Sequence, residues 1–404
     1  MKIFLMDTIT SGEEDGAQVH KLELIKNLSL SGYEIHSISS RDIKNAHAHS
    51  LKIKKGKGFW GLPILYHLWH AMVLLKLIKT YRFDILYTRN ISTGIFGYIV
   101  RKKGTKLVFE MNGVSPIEHR QEQLKGHFIK NRVENIKTAW SKYIEFFFAR
   151  KADAIIVVTD EIKNYLVNHE IEDDKIWVIE NGANTKLFRP GRNNAALNEL
   201  KIKHSIINEE NVVLFVGLLM PWQGVDYLIR AAPLVIKEIP KTKFLIVGGG
   251  KIEKLMSLCK ALNVEKKFIF TGVVRYEDVA KYINISNICI APFIKDRVCS
   301  PIKVFEYLSC GKPVVSSDIG GVRKILKESK AAILVTPENP VELAKAIIRL
   351  LKDEHLMEEM GKNGRDMVVN NYSWENTARK TVAVFEEIMR KEENGNNQRS
   401  QSGC

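Results

Sequence analysis

Short apolar runs alternate with longer amphipathic stretches along the whole chain. The runs at 2–7, 34–39, 84–89, 106–111, 154–159 and 176–181 in the first half are rich in Ile, Leu, Val and Phe, as are those at 212–217, 243–249, 268–272, 288–293, 313–317 and 331–335 in the second. Continuous runs of this length read as strands buried on both faces. Between them apolar residues recur at helical spacing, as in 19–30, 224–237, 251–262 and 340–352. Strand and helix in alternation predict parallel sheets covered by helices on both faces. Twelve strand candidates exceed one compact sheet of this kind. The pattern therefore predicts an α/β chain of two doubly wound, Rossmann-like domains. Turn residues at Arg189-Pro190-Gly191-Arg192-Asn193-Asn194 put the boundary near 190–200. The polar stretch 393–404 is expected to be a disordered tail.

Composition narrows the class. Of 404 residues 45% are hydrophobic and 26% charged, which excludes a disordered chain, a collagen-like fibre and a small disulfide scaffold. The net charge is +15, and residues 43–150 hold 20 Lys and Arg against 6 Asp and Glu. Nearly the whole surplus thus sits in the first half, pointing to an anionic partner: nucleic acid, anionic lipid or a phosphorylated substrate. No helix-turn-helix, zinc or RNP-type motif supports nucleic acid. The segment 52–60 joins the basic residues Lys52, Lys54, Lys55 and Lys57 to Phe59 and Trp60 and runs into the apolar stretch 62–78; the segment 128–151 carries Trp140 and Phe146-Phe147-Phe148. Each reads either as a core helix with a solvated basic loop or as an interfacial element; together they favour an anionic membrane surface as partner. The 62–78 stretch is short for a span and contains His67, His70 and Lys76. The first residues read as a buried strand, not a signal peptide. Five cysteines, an odd number without a CxxC pair, argue against a disulfide framework and for a reducing compartment. The expected location is cytoplasmic, peripheral on the inner face of the cell membrane.

The sharpest chemical signal lies at 299–315. Ser300-Pro301 is a helix start signal, and Gly311 with Pro313 ends the helix before a buried strand. Lys303 then falls in the first turn, which is unfavourable for a cation by about 0.3–1 kcal/mol. A bound anion reverses that penalty, since amides, dipole and ammonium would all point at it. Glu306, three residues on, lies on the same face, where a carboxylate can accept from the hydroxyls of a ribose. The bland alternative is a solvated Lys303 paired with Glu306.

Ser300 to Tyr307 matches the pattern Ser-Pro-x-Lys-x-Phe-Glu-Tyr and resembles the donor-site helix of family 4 retaining glycosyltransferases, which have the two-domain GT-B fold. The resemblance covers most of the chain. Val216 to Asp226 resembles the first strand–loop–helix of the family's donor domain, Ile246 to Gly250 the end of the second strand, and Phe270 to Val273 the next. Ile179 to Asn184 resembles the segment before the interdomain linker, and Tyr372 to Glu375 the start of the helix that crosses back to the first domain. The resemblance implies an acceptor-binding domain at 1–190, joined by a C-terminal helix at about 373–392, and a donor domain at 191–372. It implies a UDP- or GDP-sugar donor, a glycan or lipid-linked acceptor, no cofactor and, with no Asp-x-Asp triplet, no metal. Donor-binding residues would be Gly217, Gln223, Gly224, Gly249, Gly250, Ser300, Pro301, Ile302, Lys303 and Glu306, with Gly16 contributing from the loop after the first strand. Lys303 would stabilise the departing diphosphate. Glu110 and Asn112, at the end of a buried strand where many relatives carry a His, are the acceptor-side catalytic candidates, with Glu118 further along.

Three positions depart from the family pattern. Leu218 stands where Arg is usual, Gln223 where Lys is usual, and Val298 where the first Glu of the paired motif would fall. Lys295 and Arg297 are near enough in sequence to supply charge. Two alternatives stay open on these residues: a non-catalytic subunit of a glycosylation complex, and a sugar-nucleotide epimerase. The glycines of 248–250 and 16 read equally as tight strand-to-helix turns, and His20 as a packed histidine.

Overall fold

The computed structural model describes residues 1–9, 16–39, 47–50, 63–113, 128–191, 195–294 and 300–401. Every one of the twelve expected strands forms, with ends moved by a few residues. In the first half these are β1 (Lys2–Ile9), β2 (Glu34–Ser39), β4 (Ile85–Thr88), β5 (Lys106–Met111), β6 (Ala154–Val157) and β7 (Ile176–Val178). In the second they are β8 (Asn211–Val216), β9 (Thr242–Val247), β10 (Phe268–Gly272), β11 (Ile288–Ala291), β12 (Val314–Ser317) and β13 (Ala332–Val335). One further strand, β3 (His47–Ser50), pairs with β2 in parallel register. Its His-Ala-His-Ser sequence has no apolar run, because an edge strand needs only backbone partners.

All pairings are parallel. The strand orders are β3-β2-β1-β4-β5-β6-β7 and β10-β9-β8-β11-β12-β13. Both contain the doubly wound 3-2-1-4-5-6 order, in which the chain reverses direction across the sheet between the first and fourth strands. Central strands are buried on both faces: Ile288, Cys289, Ile290 and Ala291 have no exposed surface, nor do Ile3, Phe4 and Met6. Burial pushes the Cys289 thiol up to about 12 and the Cys259 thiol up to about 11, so both serve as protonated core residues.

The chain forms two compact units: Met1–Gly12, Gln18–Glu180 and Thr377–Cys404 in one, Glu13–Ala17 and Asn181–Asn376 in the other. The division thus falls ten residues before the turn cluster at 190. Ala183 and Phe188 are fully buried in the core of the second unit, and Ala183 donates to the Tyr372 carbonyl at 2.9 Å while its own carbonyl accepts from Trp374 N at 3.1 Å. Apolar burial and this ladder, not the Pro-Gly turn, fix the boundary. The C-terminal helix runs Trp374–Gln401, so 393–401 is helical where the sequence suggests disorder. Extending a formed helix is far easier than nucleating one, and no proline interrupts it.

The helix Ile302–Ser309 ends in a Schellman motif. Gly311 takes φ of +69°, Gly311 N donates to Leu308 O at 2.9 Å, and Lys312 N donates to Tyr307 O at 3.1 Å. The helix Glu354–Asn371 packs so closely on this turn that a Cβ on Gly361 would lie 2.2 Å from the Gly311 carbonyl oxygen. Gly361→Ala is expected to destabilise the second unit by about 1–3 kcal/mol in urea unfolding, since the added methyl meets backbone that cannot swing away.

Candidate functional site

In the second unit, two strand ends and two loops converge at the point where strand order reverses, the place where open parallel sheets bind ligands. After β8 the chain passes Gly217 and makes a 3₁₀ turn at Pro221–Gln223. Gly224 ends the turn in the left-handed region at φ +71°, and a Cβ there would lie 1.7 Å from the Pro292 carbonyl oxygen. Only glycine fits, and the turn is thereby held against the chain leaving β11. Gln223 is buried at 5% exposure.

Lys303, in the first turn of the Ile302–Ser309 helix, reaches into this loop. Its Nζ donates to Gln223 Oε1 at 2.7 Å. The ammonium lies 4.1 Å from the Phe215 ring centroid and 5.6 Å from that of Phe293, inside cation–π range. A side chain on Gly217 would place its Cβ 2.5 Å from the Lys303 Nζ. The helix is fixed from below by the fully buried Tyr307, whose hydroxyl oxygen accepts from Val216 N at 2.7 Å. Glu306, one turn beyond Lys303, is buried. The next strand ends join the same lattice. Leu219 N donates to Gly249 O at 2.8 Å, Leu219 and Gly250 form a bridge, and a Cβ on Gly248 would sit 2.0 Å from the Gly217 carbonyl oxygen.

Gly217, Gln223, Gly224, Gly249, Gly250, Lys303 and Glu306 therefore lie in one unit around the ends of β8, β9 and β11. Ser300 and Pro301 differ from expectation. The helix starts at Ile302 with Pro301 as N-cap and no side-chain capping bond. Ser300 turns instead to Asn181: its Oγ accepts from Asn181 N at 3.2 Å, and its carbonyl accepts from Asn181 Nδ2 at 2.6 Å. Asn181 is buried, so its amide needs a partner there more than the helix end does. Gln223 also differs from a ligand group standing open: its carbonyl oxygen is occupied by the Lys303 ammonium.

The first unit holds a second polar cluster, at the carboxyl ends of β1, β4 and β5. Glu110 is 2% exposed. Both of its oxygens lie near His20 Nε2, at 3.0 and 3.1 Å. Tyr87 OH donates to Oε2, Asn112 Nδ2 donates to Oε1 at 2.6 Å, and Arg89 Nε lies 3.6 Å from Oε1. Burial alone would raise the Glu110 pKa, but the charges of His20 and Arg89 and the bonds from His20 and Tyr87 outweigh it and hold the carboxyl below the usual range. An ionised carboxylate only accepts, so His20 Nε2 is the donor in this contact. Burial, followed by the Glu110 charge, raises the Tyr87 hydroxyl well above its ordinary value. Beside this cluster Asp7 Oδ2 accepts from Arg89 N at 2.6 Å, and Asp7 Oδ1 accepts from Thr88 and Thr93 hydroxyls at 3.2 and 3.3 Å. Gly16 opens the helix Gly16–Leu30 that carries His20. Glu118, Lys295, Arg297, Val298 and the 52–60 segment lie outside the described residues.

Sequence reading missed Phe215, Phe293, Tyr87, Arg89 and Asp7. The usable signal was position: each lies near the carboxyl end of an apolar run, close to the ligand edge of the sheet.

Comparison with known proteins fits this geometry. Residues 198–367 match the family "Glycosyl transferases group 1", and residues 15–187 match "Glycosyltransferase Family 4". The chain belongs to the glycosyltransferases. It is 29% identical over 61% of its length to glycosyltransferase MJ1607 of Methanocaldococcus jannaschii, an alignment spanning 63% of that protein. Over 93% of its length it is 24% identical to MJ1069 of the same organism, covering 95% of it. It is also 26% identical over 74% of its length to the UDP-Gal:alpha-D-GlcNAc-diphosphoundecaprenol alpha-1,3-galactosyltransferase of Escherichia coli, covering 74% of that enzyme. Among solved structures, sucrose-phosphate synthase from Thermosynechococcus elongatus superposes with a TM-score of 0.75 at 20% identity, covering 97% of this chain and 100% of that one. Anabaena HepE, solved in complex with UDP-glucose, gives a TM-score of 0.69 at 17% identity over 98% of this chain and 100% of that one. The fold class is the GT-B fold that the motif resemblance implied.

The Glu110 cluster gives a pH prediction. A carboxyl whose folded pKa is depressed contributes stability that is fully present above its unfolded value near 4.3 and fades as pH falls toward the folded value. Glu110→Gln is expected to lower first-unit stability by roughly 3 kcal/mol at pH 7, as breaking a buried charged pair does. It should also flatten the acid limb of stability below about pH 4.3; urea unfolding at pH 3.5, 5 and 7 reads both effects.

Proposed function

We propose that this protein is a retaining glycosyltransferase that takes a nucleotide-sugar donor in its second unit and a lipid-linked or glycan acceptor on its first. The observation that carries the reading is the Lys303 ammonium at the strand-order reversal, held between Gln223 and the Phe215 ring. A cation in a helix's first turn is electrostatically misplaced unless an anion completes the site, and a sugar nucleotide's diphosphate has the required charge. Lys303 and the amides of the glycine-rich strand ends would take up the negative charge that develops as the bond from sugar C1 to diphosphate oxygen breaks. The new bond forms between C1 and an acceptor hydroxyl on the same face, and the hydroxyl proton passes to the departing phosphate oxygen. Glu306 would bind the ribose hydroxyls. Glu110 acts by position: its enclosed carboxylate holds His20, Arg89 and Asn112, and Asn112 is the one that would meet the acceptor. HepE with UDP-glucose, and the Escherichia coli enzyme named for a UDP-Gal donor and a diphosphoundecaprenol acceptor, support the choice of substrate classes.

A lipid-linked acceptor calls for a membrane-facing surface, and we place it on the helix Phe128–Lys151. Trp140, Tyr143 and Phe147 recur at helical spacing and are 63%, 65% and 42% exposed. The Trp140 and Tyr143 rings meet edge to face at 6.3 Å, and the Lys151 ammonium lies 5.8 Å over the Phe147 ring. Exposed Arg150 and Lys151 end the stripe. Among the described residues no helix is long and apolar enough to cross a membrane. Aromatic rings beside lysine and arginine suit the headgroup layer of an anionic leaflet.

Two outcomes are expected. Lys303→Ala should cut sugar transfer by at least 100-fold, about 2.7 kcal/mol of transition-state stabilisation, with an unchanged circular dichroism spectrum. Turnover would be followed with a UDP- and GDP-sugar panel, and NMR of the product anomeric proton reads retention; undiminished turnover would overturn the assignment. Replacing Trp140, Tyr143 and Phe147 together by Ser should reduce co-sedimentation with phosphatidylglycerol-containing vesicles several-fold while leaving the melting temperature in place. Equal pelleting of wild type and triple variant would rule out this face.

A further inference from the structure

We infer that Gln223 is a positioning residue for Lys303: it fixes the ammonium as a presented cation through a neutral acceptor. This rests on the donor reading above and adds to it a role for a residue that the family pattern would make a lysine.

Three of the contacts that place the ammonium are with neutral groups. The Gln223 carbonyl oxygen is 2.7 Å away, and the Phe215 and Phe293 rings offer their negative faces at 4.1 and 5.6 Å. A neutral acceptor orients the charge without cancelling it, as a carboxylate at the same place would. The Gln223 side chain is itself immobilised. It is 5% exposed and sits at the last position of a 3₁₀ turn. Its backbone N donates to Met220 O at 2.9 Å, and the following residue is locked by the contact of Gly224 with Pro292. The Trp222 carbonyl, one residue before, accepts from Ile294 N at 3.3 Å and ties the turn to the same segment. Gly217 completes the cradle, since any side chain there would occupy the ammonium's place.

The departure at 223 and the lysine at 303 are therefore one arrangement. With a lysine at 223, two ammonium groups would contend for a gap that now spans a single hydrogen bond, and like charges at that separation repel strongly. The cation has in effect been moved from the loop to the helix, and the loop residue has become its holder. Sequence comparison alone reads Gln223 as a lost charge; the geometry reads it as a partner.

The test is a double-mutant cycle on the full chain, with UDP-glucose and GDP-mannose as probes in calorimetry. Neither probe has a phosphate that titrates between pH 5 and 8. Gln223→Leu preserves volume and should weaken binding about 10-fold, Lys303→Gln about 100-fold, and the double variant no more than Lys303→Gln alone, because Gln223 acts only through Lys303. A double variant that loses the product of the two factors would show that Gln223 works on its own and would overturn the inference. Gln223→Glu keeps the contact but neutralises the charge. It should bind weakly throughout pH 5 to 8, because the ammonium beside it keeps the carboxyl ionised there; wild-type affinity at pH 8 would also overturn it. Melting temperatures of all variants exclude unfolding as the cause. Should wild type bind neither probe, the donor reading fails. The positioning role is then read from ¹⁵N-lysine NMR, in which the Lys303 ammonium signal, assigned with Lys303→Arg, is expected in wild type and broadened by exchange in Gln223→Leu. An identical signal in both would refute it.

Discussion

A positive charge at the positive end of a helix is the constraint around which the second unit is organised. Left alone, Lys303 would swing to solvent and the first turn would relax. Two features prevent this. Tyr307, on the buried side of the same helix, is bonded to the backbone at the end of β8, so the helix cannot roll. Gln223 and the Phe215 ring then receive the ammonium at the strand end that Tyr307 has fixed. The glycines at 217 and 224 are there for the same reason: one clears the space that the charge occupies, the other lets the loop turn tightly enough to reach it. The charged group is preorganised at a modest electrostatic cost, which a bound anion would offset.

The far end of that helix is tied down as firmly. Its last carbonyls are satisfied by the Schellman turn, and Arg365 Nη1 donates to Ser309 O at 2.7 Å and Phe188 O at 2.8 Å. A guanidinium at a helix C-terminus is favourably placed, and here it also joins the helix to the segment entering the unit. Lys303 and Glu306 are thus carried on a helix fixed at its start, middle and end, with Asn181 and Ser300 closing the start.

The first unit places the opposite charge among its own strand ends. Glu110 ends β5 as a buried carboxylate, and the groups around it come from the Gly16–Leu30 helix, β4 and the residues after β5. In a low-dielectric interior such a network is stable only when each oxygen is occupied. Glu110 is therefore better suited to orienting its neighbours than to meeting a substrate itself, which separates its role from that of Asn112.

Strand and helix order, the two parallel sheets and the helix-ending glycine at 311 were legible in the sequence, because burial on both faces and helical spacing leave a local record in residue type. The motif at 300–307 also marked a segment that does form a helix, Ile302–Ser309. Local pattern could not supply partners that the strand order brings together from far apart. Gln223 and Lys303 are 80 positions apart, and Ser300 and Asn181 are 119. Each pairing exists because β8 and β11 lie side by side or because the entering segment packs beneath the helix. For that reason Ser300 looked like a cap, Gln223 like a missing charge and the Pro-Gly turn like a boundary. Sequence determined which segments are buried; only the tertiary structure decided which polar groups meet, since a hydrogen bond depends on direction and distance across the sheet and not on periodicity along the chain.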